Sequence, residues 1–243
     1  MSLLDKDTEV FNTVSGFGFS AARPDDLANI SNEFTLVEID MDVSASVSDF
    51  KGDLEKAYRT IIEACGKNPK KDNLLVRATS FNSHLKEDHG FVPLSAIDPN
   101  GLVYKPSGCT ALYDAALSSL ESVDKYGGTL ADQGFLVNGV IFIITDGEDN
   151  ASYTGNPQKI KDYVSKIRKS ESLESVKIIL IGIGSGISTY LGEFNTRAGF
   201  DQFEMIQQAD AKGLAQMADF VSRSISSTSQ ALGTGGPSQN LSI

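Results

Sequence analysis

Residues 34–46 read FTLVEIDMDVSAS, and this stretch decides the fold class. Its first half is rich in β-branched and apolar residues, which favours a buried β-strand. The polar turn DVSAS follows at once, and residues 49–67 then carry apolar side chains at three- and four-residue intervals, which is typical of an amphipathic helix. The predicted order is therefore strand, polar loop and helix.

The same alternation runs along most of the remaining chain. GVIFIITDG (139–147) is almost wholly apolar until Asp146, as expected of a buried strand that ends in a polar turn. Residues 74–81 and 90–97 are predicted to pair as a hairpin at one side of the sheet. Further helices are predicted at 110–126, 156–170, 188–199 and 211–227, and further strands at 175–186 and 201–207.

This order predicts an α/β fold: a doubly wound, mostly parallel open sheet with one antiparallel edge strand and helices on both faces. Residues 33–226 form the predicted domain. Residues 1–32 are expected to be an irregular N-terminal extension, because glycines and a proline interrupt short apolar stretches. Residues 227–243, STSQALGTGGPSQNLSI, are expected to be a flexible C-terminal tail.

Composition and charge restrict the classes of function. The chain has 243 residues and a formal net charge of −11, which repels nucleic-acid phosphates and attracts cations or basic protein surfaces. No apolar run is long enough to cross a bilayer, and the N-terminus lacks the basic start and apolar stretch of a secretory signal. The two cysteines are expected to be free thiols. We expect a cytoplasmic protein that does not bind nucleic acid and does not insert into a membrane.

Three segments with oxygen-bearing side chains fall where this fold would bring them together. Asp42, Ser44 and Ser46 follow the first strand of the domain, Thr110 stands at the start of a helix, and Asp146 ends the apolar strand. Carboxylate and neutral oxygens are the ligands that Mg²⁺ prefers, with water completing the shell. Two carboxylates roughly cancel the charge of the ion and leave a position where a partner's carboxylate could replace water.

The pattern D-x-S-x-S at 42–46, the threonine in SGCTALYDA and the aspartate in IITDGEDN resemble the metal-ion-dependent adhesion site (MIDAS) of von Willebrand factor A domains. The resemblance covers residues 34–225. It implies a Rossmann-like von Willebrand factor A fold whose metal ligands are Asp42, Ser44, Ser46, Thr110 and Asp146. The implied ion is Mg²⁺, with Mn²⁺ or Ca²⁺ as alternatives.

The resemblance also implies a function. Such domains are usually binding modules without catalytic residues, so the chain is expected to be a scaffold that binds a carboxylate of a protein partner. Many prokaryotic intracellular members are associated with MoxR-type AAA+ ATPases or with stress-response systems, which makes such an ATPase the expected partner. The chain has no phosphate-binding loop of its own, so ATP hydrolysis would belong to that partner.

Two other interpretations stay open at this stage. Residues 40–44 also resemble the start of haloacid dehalogenase-type phosphatases, in which Asp40 would be the nucleophile and Asp42 the general acid. That reading leaves Ser46 and Thr110 without roles. Taken singly, Asp42, Ser44 and Ser46 could cap the helix that starts near Asp49. Thr110 could cap its own helix, and Asp146 could begin an ordinary turn. Asp40 itself departs from the family pattern, which commonly has an apolar residue there; it could pair with a basic residue of a covering helix or support the metal ligands.

Overall fold

The computed structural model describes residues 8–170, 172–231 and 241–243. In this part of the chain, eight strands form one sheet in the order β1-β2-β5-β4-β3-β6-β7-β8. The strands are β1 Thr8–Asn12, β2 Gly18–Ala22, β3 Glu33–Asp42, β4 Leu74–Phe81, β5 Leu85–Pro93, β6 Leu136–Thr145, β7 Ser175–Ile183 and β8 Gln202–Ile206. The helices are α1 Pro24–Leu27, α2 Lys51–Cys65, α3 Leu112–Asp132, α4 Pro157–Ile167, α5 Ser188–Ala198 and α6 Ala211–Ala231.

The sheet is parallel in its centre and covered on both faces, as predicted. Strands β4, β3, β6, β7 and β8 run parallel to one another, whereas β5 runs antiparallel to β4. Alternate residues of β3 face opposite sides: Val37 and Ile39 pack in one apolar cluster with α2 and α6, and Phe34 and Leu36 pack in the other with α3, α4 and α5. The predicted α/β class is confirmed.

Residues 8–22 differ from the irregular extension expected for the N-terminus. They form the antiparallel hairpin β1–β2, which joins the sheet when β2 pairs in parallel with β5 at Ala21 and Phe91. Phe19 of β2 is buried, stacks on Phe11 with ring centroids 5.1 Å apart and meets Phe91 edge-on. Glycines at positions 16 and 18 interrupt the apolar pattern in this stretch, so the packing, and not a period, reveals these two strands. As a result, β5 does not form the edge of the sheet.

The C-terminal end also differs from its prediction. Helix α6 continues to Ala231, five residues into the expected tail, because its last turn is packed against the sheet. Thr228 is buried, and its carbonyl accepts a hydrogen bond from Asn138 Nδ2 of β6 at 3.1 Å. Residues 232–240 of the predicted tail lie outside the described residues. The division of the chain at residues 32/33 and 226/227 stays a prediction.

Two smaller expectations concern the hairpin and the thiols. The hairpin of β4 and β5 is present, but β5 begins at Leu85 instead of Gly90, so that the connecting turn has only three residues, 82–84. Cys65 and Cys109 are free, as expected. Among the described residues, no helix has the length and apolar character needed to span a bilayer.

Candidate metal centre

Asp42 lies at the end of β3 and is almost completely buried, with 1% of its surface exposed. Its two carboxylate oxygens have different partners. Oδ1 accepts the backbone N–H of Ser44 at 2.8 Å, and Oδ2 accepts the hydroxyl of Thr145 at 2.6 Å. The first contact tightens the turn after β3, and the second joins β3 to the end of β6, so the carboxylate has a fixed orientation.

The hydroxyls of Ser44 and Ser46 continue from this aspartate toward Asp146. Their Oγ atoms are 2.9 Å apart, and Ser46 Oγ donates to Oδ1 of Asp146 at 2.8 Å. Ser44 is buried, whereas Ser46 is exposed and Asp146 is half-buried. The two predicted loops therefore meet, with their oxygens arranged from the interior to the surface.

Thr110 is brought to the same place by the turn before α3. Gly147 shows this proximity, because a methyl group added to it would lie 3.2 Å from Thr110 Oγ1 and 3.9 Å from Asp42 Oδ2. The backbone of Thr110 is held by the loop after β6: its N–H donates to Asn150 Oδ1 at 2.8 Å, and its carbonyl accepts the N–H groups of Asn150 and Ala151. All five predicted residues thus lie together at the carboxyl end of the central strands.

Helix capping does not account for these residues. Ser44 occupies the N-cap position of the 3-10 helix Ala45–Phe50, but no side-chain hydrogen bond caps that helix. The N-cap position of α3 is Ala111, one residue after Thr110, and it has no side-chain cap either. The hydroxyls of Ser44 and Ser46 are directed to each other and to Asp146 instead, which is the arrangement expected of a ligand set.

Burial disfavours the charged forms of Asp42 and Asp146. Removal from water raises the pKa of Asp42 to about 6, against the smaller opposing effect of the Thr145 and Ser44 hydrogen bonds. Burial also raises the pKa of Asp146, although the hydrogen bond from Ser46 opposes the shift. A cation between these carboxylates would restore the stabilisation that water no longer provides.

The donor set fits a hard divalent cation. Two carboxylates and three hydroxyls supply only oxygens, which suit Mg²⁺, Mn²⁺ or Ca²⁺ better than soft metals. Within the described ranges, no three His, Cys, Asp or Glu side chains come together in a way that could hold a metal. The candidate centre therefore depends on its hydroxyls, and Asp42, Ser44, Ser46, Thr110 and Asp146 would be the residues that hold an ion.

The loop after Asp146 is ordered by a buried carboxylate in the first turn of α3. Asp114 accepts three backbone N–H groups, from Tyr153 at 2.9 Å, Thr154 at 2.9 Å and Gly155 at 2.5 Å. Asp149 Oδ1 accepts the N–H of Tyr113 and the hydroxyl of Ser152, so this acid is engaged in holding the loop. Glu148 remains exposed.

A buried polar stripe on β3 leads to the centre, and only its member Asp40 is apparent from the sequence. Glu38, Asp40 and Asp42 share one face of the strand, and the first two are completely buried. Glu38 pairs with Arg77 of β4 at 2.8 Å, and Asp40 accepts the hydroxyl of Ser119 of α3. On the covering helix, the partner of Asp40 is thus a serine. The basic residue nearby, Arg77, belongs to the neighbouring strand β4 and pairs with Glu38.

The burial of Asp40 has consequences for its chemistry. Its Oδ1 accepts no hydrogen bond from a donor among the described residues. Burial and the nearby charge of Glu38 raise its pKa well above the ordinary value, so the neutral form is favoured. A carboxyl that is fully buried and held by Ser119 is not positioned to attack a substrate, which weighs against the phosphatase interpretation.

Comparison with solved structures agrees with this architecture. Proximal thread matrix protein 1 from the mussel byssus aligns with a TM-score of 0.52 and 16% identity over 81% of this chain and 47% of its own; one of its structures is described as having a zinc-occupied MIDAS motif. A von Willebrand factor type A protein from Catenulispora acidiphila aligns with a TM-score of 0.53 and 13% identity over 86% of this chain and 44% of its own. The PilB minor pilin from Streptococcus sanguinis aligns with a TM-score of 0.51 and 14% identity over 91% and 67%.

Neither a scan against models of protein families nor a search of curated proteins finds a match to the chain. The chain spans about half the length of the mussel and Catenulispora proteins, 47% and 44%. At such low identity the likenesses concern the fold alone. They show that this chain has a von Willebrand factor A-like α/β fold.

Proposed function

We propose that the chain is a metal-dependent protein-interaction domain, which holds a Mg²⁺-type ion at the candidate centre and binds a carboxylate of its partner. The observation that carries the proposal is the convergence of Asp42, Ser44, Ser46, Thr110 and Asp146 at the carboxyl end of the sheet. The ion would supply positive charge and a coordination position that an acidic side chain can take.

The surface around the centre supports a docking role. Tyr153 is 98% exposed, yet its backbone is held by the buried carboxylate of Asp114. Exposed aromatic side chains on rigid backbone are common anchors of protein interfaces, because little conformational freedom is lost on binding. We assign Tyr153 to the contact surface, since it lies in the loop that begins at Asp146.

The partner and the biological setting follow from the resemblance alone. We propose an adaptor or scaffold without catalytic activity of its own, acting in the cytoplasm on a MoxR-type AAA+ ATPase or a stress-response complex. The zinc-occupied motif described for the mussel protein supports a metal at this place in the fold. The oxygen-only donor set favours Mg²⁺ over zinc in this chain.

Calorimetric titration of the metal-free protein with Mg²⁺, Mn²⁺ and Zn²⁺ tests the proposal. We expect saturable binding of about one ion per chain, lost in Asp146→Ala and retained in Asp219→Ala, which removes an exposed aspartate of α6 far along the chain. With Mg²⁺ bound, acetate should shift the amide resonances of residues 44–46 and 146–150, and EDTA should abolish those shifts. Absence of binding by all three ions would refute the proposal.

A phosphatase assay on the same samples tests the phosphatase alternative. We expect no turnover of an aryl phosphate at any Mg²⁺ concentration, because Asp40 is buried beneath α3 and bonded to Ser119. Turnover that is lost in Asp40→Asn and kept in Ser46→Ala would instead establish the enzyme.

A further inference from the structure

A polar cavity lies beside the candidate metal centre, on the side of β4 and β5. It measures about 460 Å³ and is bordered by the β4–β5 hairpin and by residues 101–105. Val43, which stands between the ligands Asp42 and Ser44, lines its wall. A ligand in this cavity would therefore be close to a partner bound at the metal.

A β-bulge directs an acidic side chain into this cavity. In the pairing of β4 with β5, Thr79 lies opposite Glu87 and Ala78 lies opposite His89, so Asp88 has no opposite residue. Extra residues of this kind commonly re-aim a side chain next to a functional site. Glu87 bonds to Arg77, whereas Asp88 lines the cavity.

The carboxylate of Asp88 is buried and only half satisfied. Its side chain is 3% exposed; Oδ1 accepts Lys86 Nζ, whose own side chain is 72% exposed, and Oδ2 has no hydrogen-bond partner in the described part of the chain. Asp88 also lies near enough to Tyr104 to add, after burial, to the rise in the pKa of that phenol. An unpaired buried acceptor of this kind costs free energy that a donor from outside would recover.

We infer that this cavity binds a guanidinium group, namely an arginine side chain of the partner. A guanidinium offers several N–H donors in one plane and is weakly hydrated, so it suits a buried carboxylate oxygen. Val43, Leu102 and Tyr104 provide apolar surface for the aliphatic stem. The net charge of the whole chain, −11, favours the approach of a basic segment, although Lys86 and Lys105 also line the cavity.

Two other ligand classes fit less well. A second divalent cation would need several oxygen ligands, and no cluster of three acidic, His or Cys side chains is present among the described residues. An anion held by Lys86 and Lys105 would leave Asp88 Oδ2 unpaired and would lie close to its charge. The inference rests on the proposed function only for the source of the arginine, since binding in the cavity itself requires no metal.

The test is a titration of the whole 243-residue chain with Nα-acetyl-arginine methylamide in EDTA, in which the amide resonances of the chain are monitored. We expect saturable shifts in residues 82–88 and 101–105, and affinity at least tenfold weaker for Asp88→Asn. Asp72→Asn, which changes an exposed aspartate outside the cavity, should bind like the wild type. The neutral analogue Nα-acetyl-citrulline methylamide should cause no saturable shift.

Equal affinity in wild type and Asp88→Asn would overturn the inference, and so would saturation of the same residues by sulfate without a response to arginine. Thermal unfolding of Asp88→Asn checks that the variant is folded. A parallel Mg²⁺ titration separates the two ideas: arginine binding without metal binding refutes only the proposed function, and metal binding without arginine binding refutes only this inference.

Discussion

The hydroxyl of Ser46 donates a hydrogen bond to Oδ1 of Asp146 at 2.8 Å, between residues 100 positions apart in the chain. Ser46 Oγ also lies 2.9 Å from Ser44 Oγ. Hydrogen bonds of this kind keep the two loops together before an ion arrives, so little ordering is left for the binding step. The oxygens that make these bonds are the ones that a metal would recruit.

Replacement of Ser46 by alanine should therefore weaken metal binding. The variant loses one oxygen ligand and the contact that positions Asp146, and we expect at least a tenfold fall in Mg²⁺ affinity, about 1.4 kcal/mol. Ser48→Ala is the matched control, because its hydroxyl donates to the carbonyl of Ala45 within the same 3-10 helix. Isothermal calorimetry of the two variants measures the difference, and equal losses would show that the effect is only local destabilisation.

Asp42 should make the metal-free domain less stable as the pH rises. Its pKa is about 6 in the folded protein and 3.8 ordinarily, so the folded state binds the proton more tightly. That contribution to the free energy of unfolding is fully present below pH 3.8 and is lost as the pH rises through 6, a loss on the order of 3 kcal/mol. Asp42→Asn should avoid this loss.

We expect Asp42→Asn to raise the free energy of unfolding at pH 7.5 by about 1–3 kcal/mol in EDTA, although the variant no longer binds metal. The amide can still accept the N–H of Ser44 and donate to Thr145 Oγ1. Urea denaturation at pH 7.5 and pH 5 measures the effect, and the difference from wild type should narrow at the lower pH. A variant less stable than wild type at pH 7.5 would contradict the argument.

Arg77 should be essential for stability. Its guanidinium is 2% exposed and pairs with Glu38, which is fully buried, and with Glu87. Arg77→Met leaves a buried carboxyl without its counter-charge, and we expect a loss of about 3–5 kcal/mol in urea denaturation. Arg168→Met breaks the more exposed pair with Asp201 and should cost at most about 1 kcal/mol.

A double variant separates loss of charge from loss of packing. If the unpaired carboxyl is the cause, Glu38→Gln combined with Arg77→Met should be more stable than Arg77→Met alone. If the double variant is no better, the cost of Arg77→Met comes from lost contacts of the side chain, which lies 5.7 Å from the ring centre of Phe19.

The positions of the candidate ligands could be predicted from sequence because each directly follows a strand or precedes a helix. The carboxyl ends of parallel strands lie at one end of the sheet, so local pattern and topology predict that these positions come together, whereas their role as one ligand set follows from the resemblance. The pairing of Glu38 with Arg77 was not predictable in this way, since it depends on the register that sets these residues opposite each other on β3 and β4. The joining of the hairpin at 8–22 to β5 depends in the same way on contacts distant in sequence, whereas the bulge at Asp88 is an irregularity inside the local β4–β5 hairpin.

Asp114 should control the order of the loop that follows Asp146, beside the candidate metal centre. Its carboxylate accepts the N–H groups of Tyr153, Thr154 and Gly155, and its place in the first turn of α3 is electrostatically favourable for an acid. In Asp114→Ala these three amides lose their acceptor. We expect their hydrogen exchange to accelerate at least tenfold and the free energy of unfolding to fall by about 2–4 kcal/mol.

Asp114→Asn provides a graded control. Thr154 and Gly155 both donate to Oδ1, whereas Tyr153 donates to Oδ2. An asparagine that keeps its carbonyl at Oδ1 should therefore protect the first two amides and expose only that of Tyr153, because its amide nitrogen offers no lone pair to an N–H. Exchange measured residue by residue at constant pH distinguishes this pattern from general loosening. If all three amides accelerate equally in Asp114→Asn, charge and not hydrogen-bond geometry orders the loop.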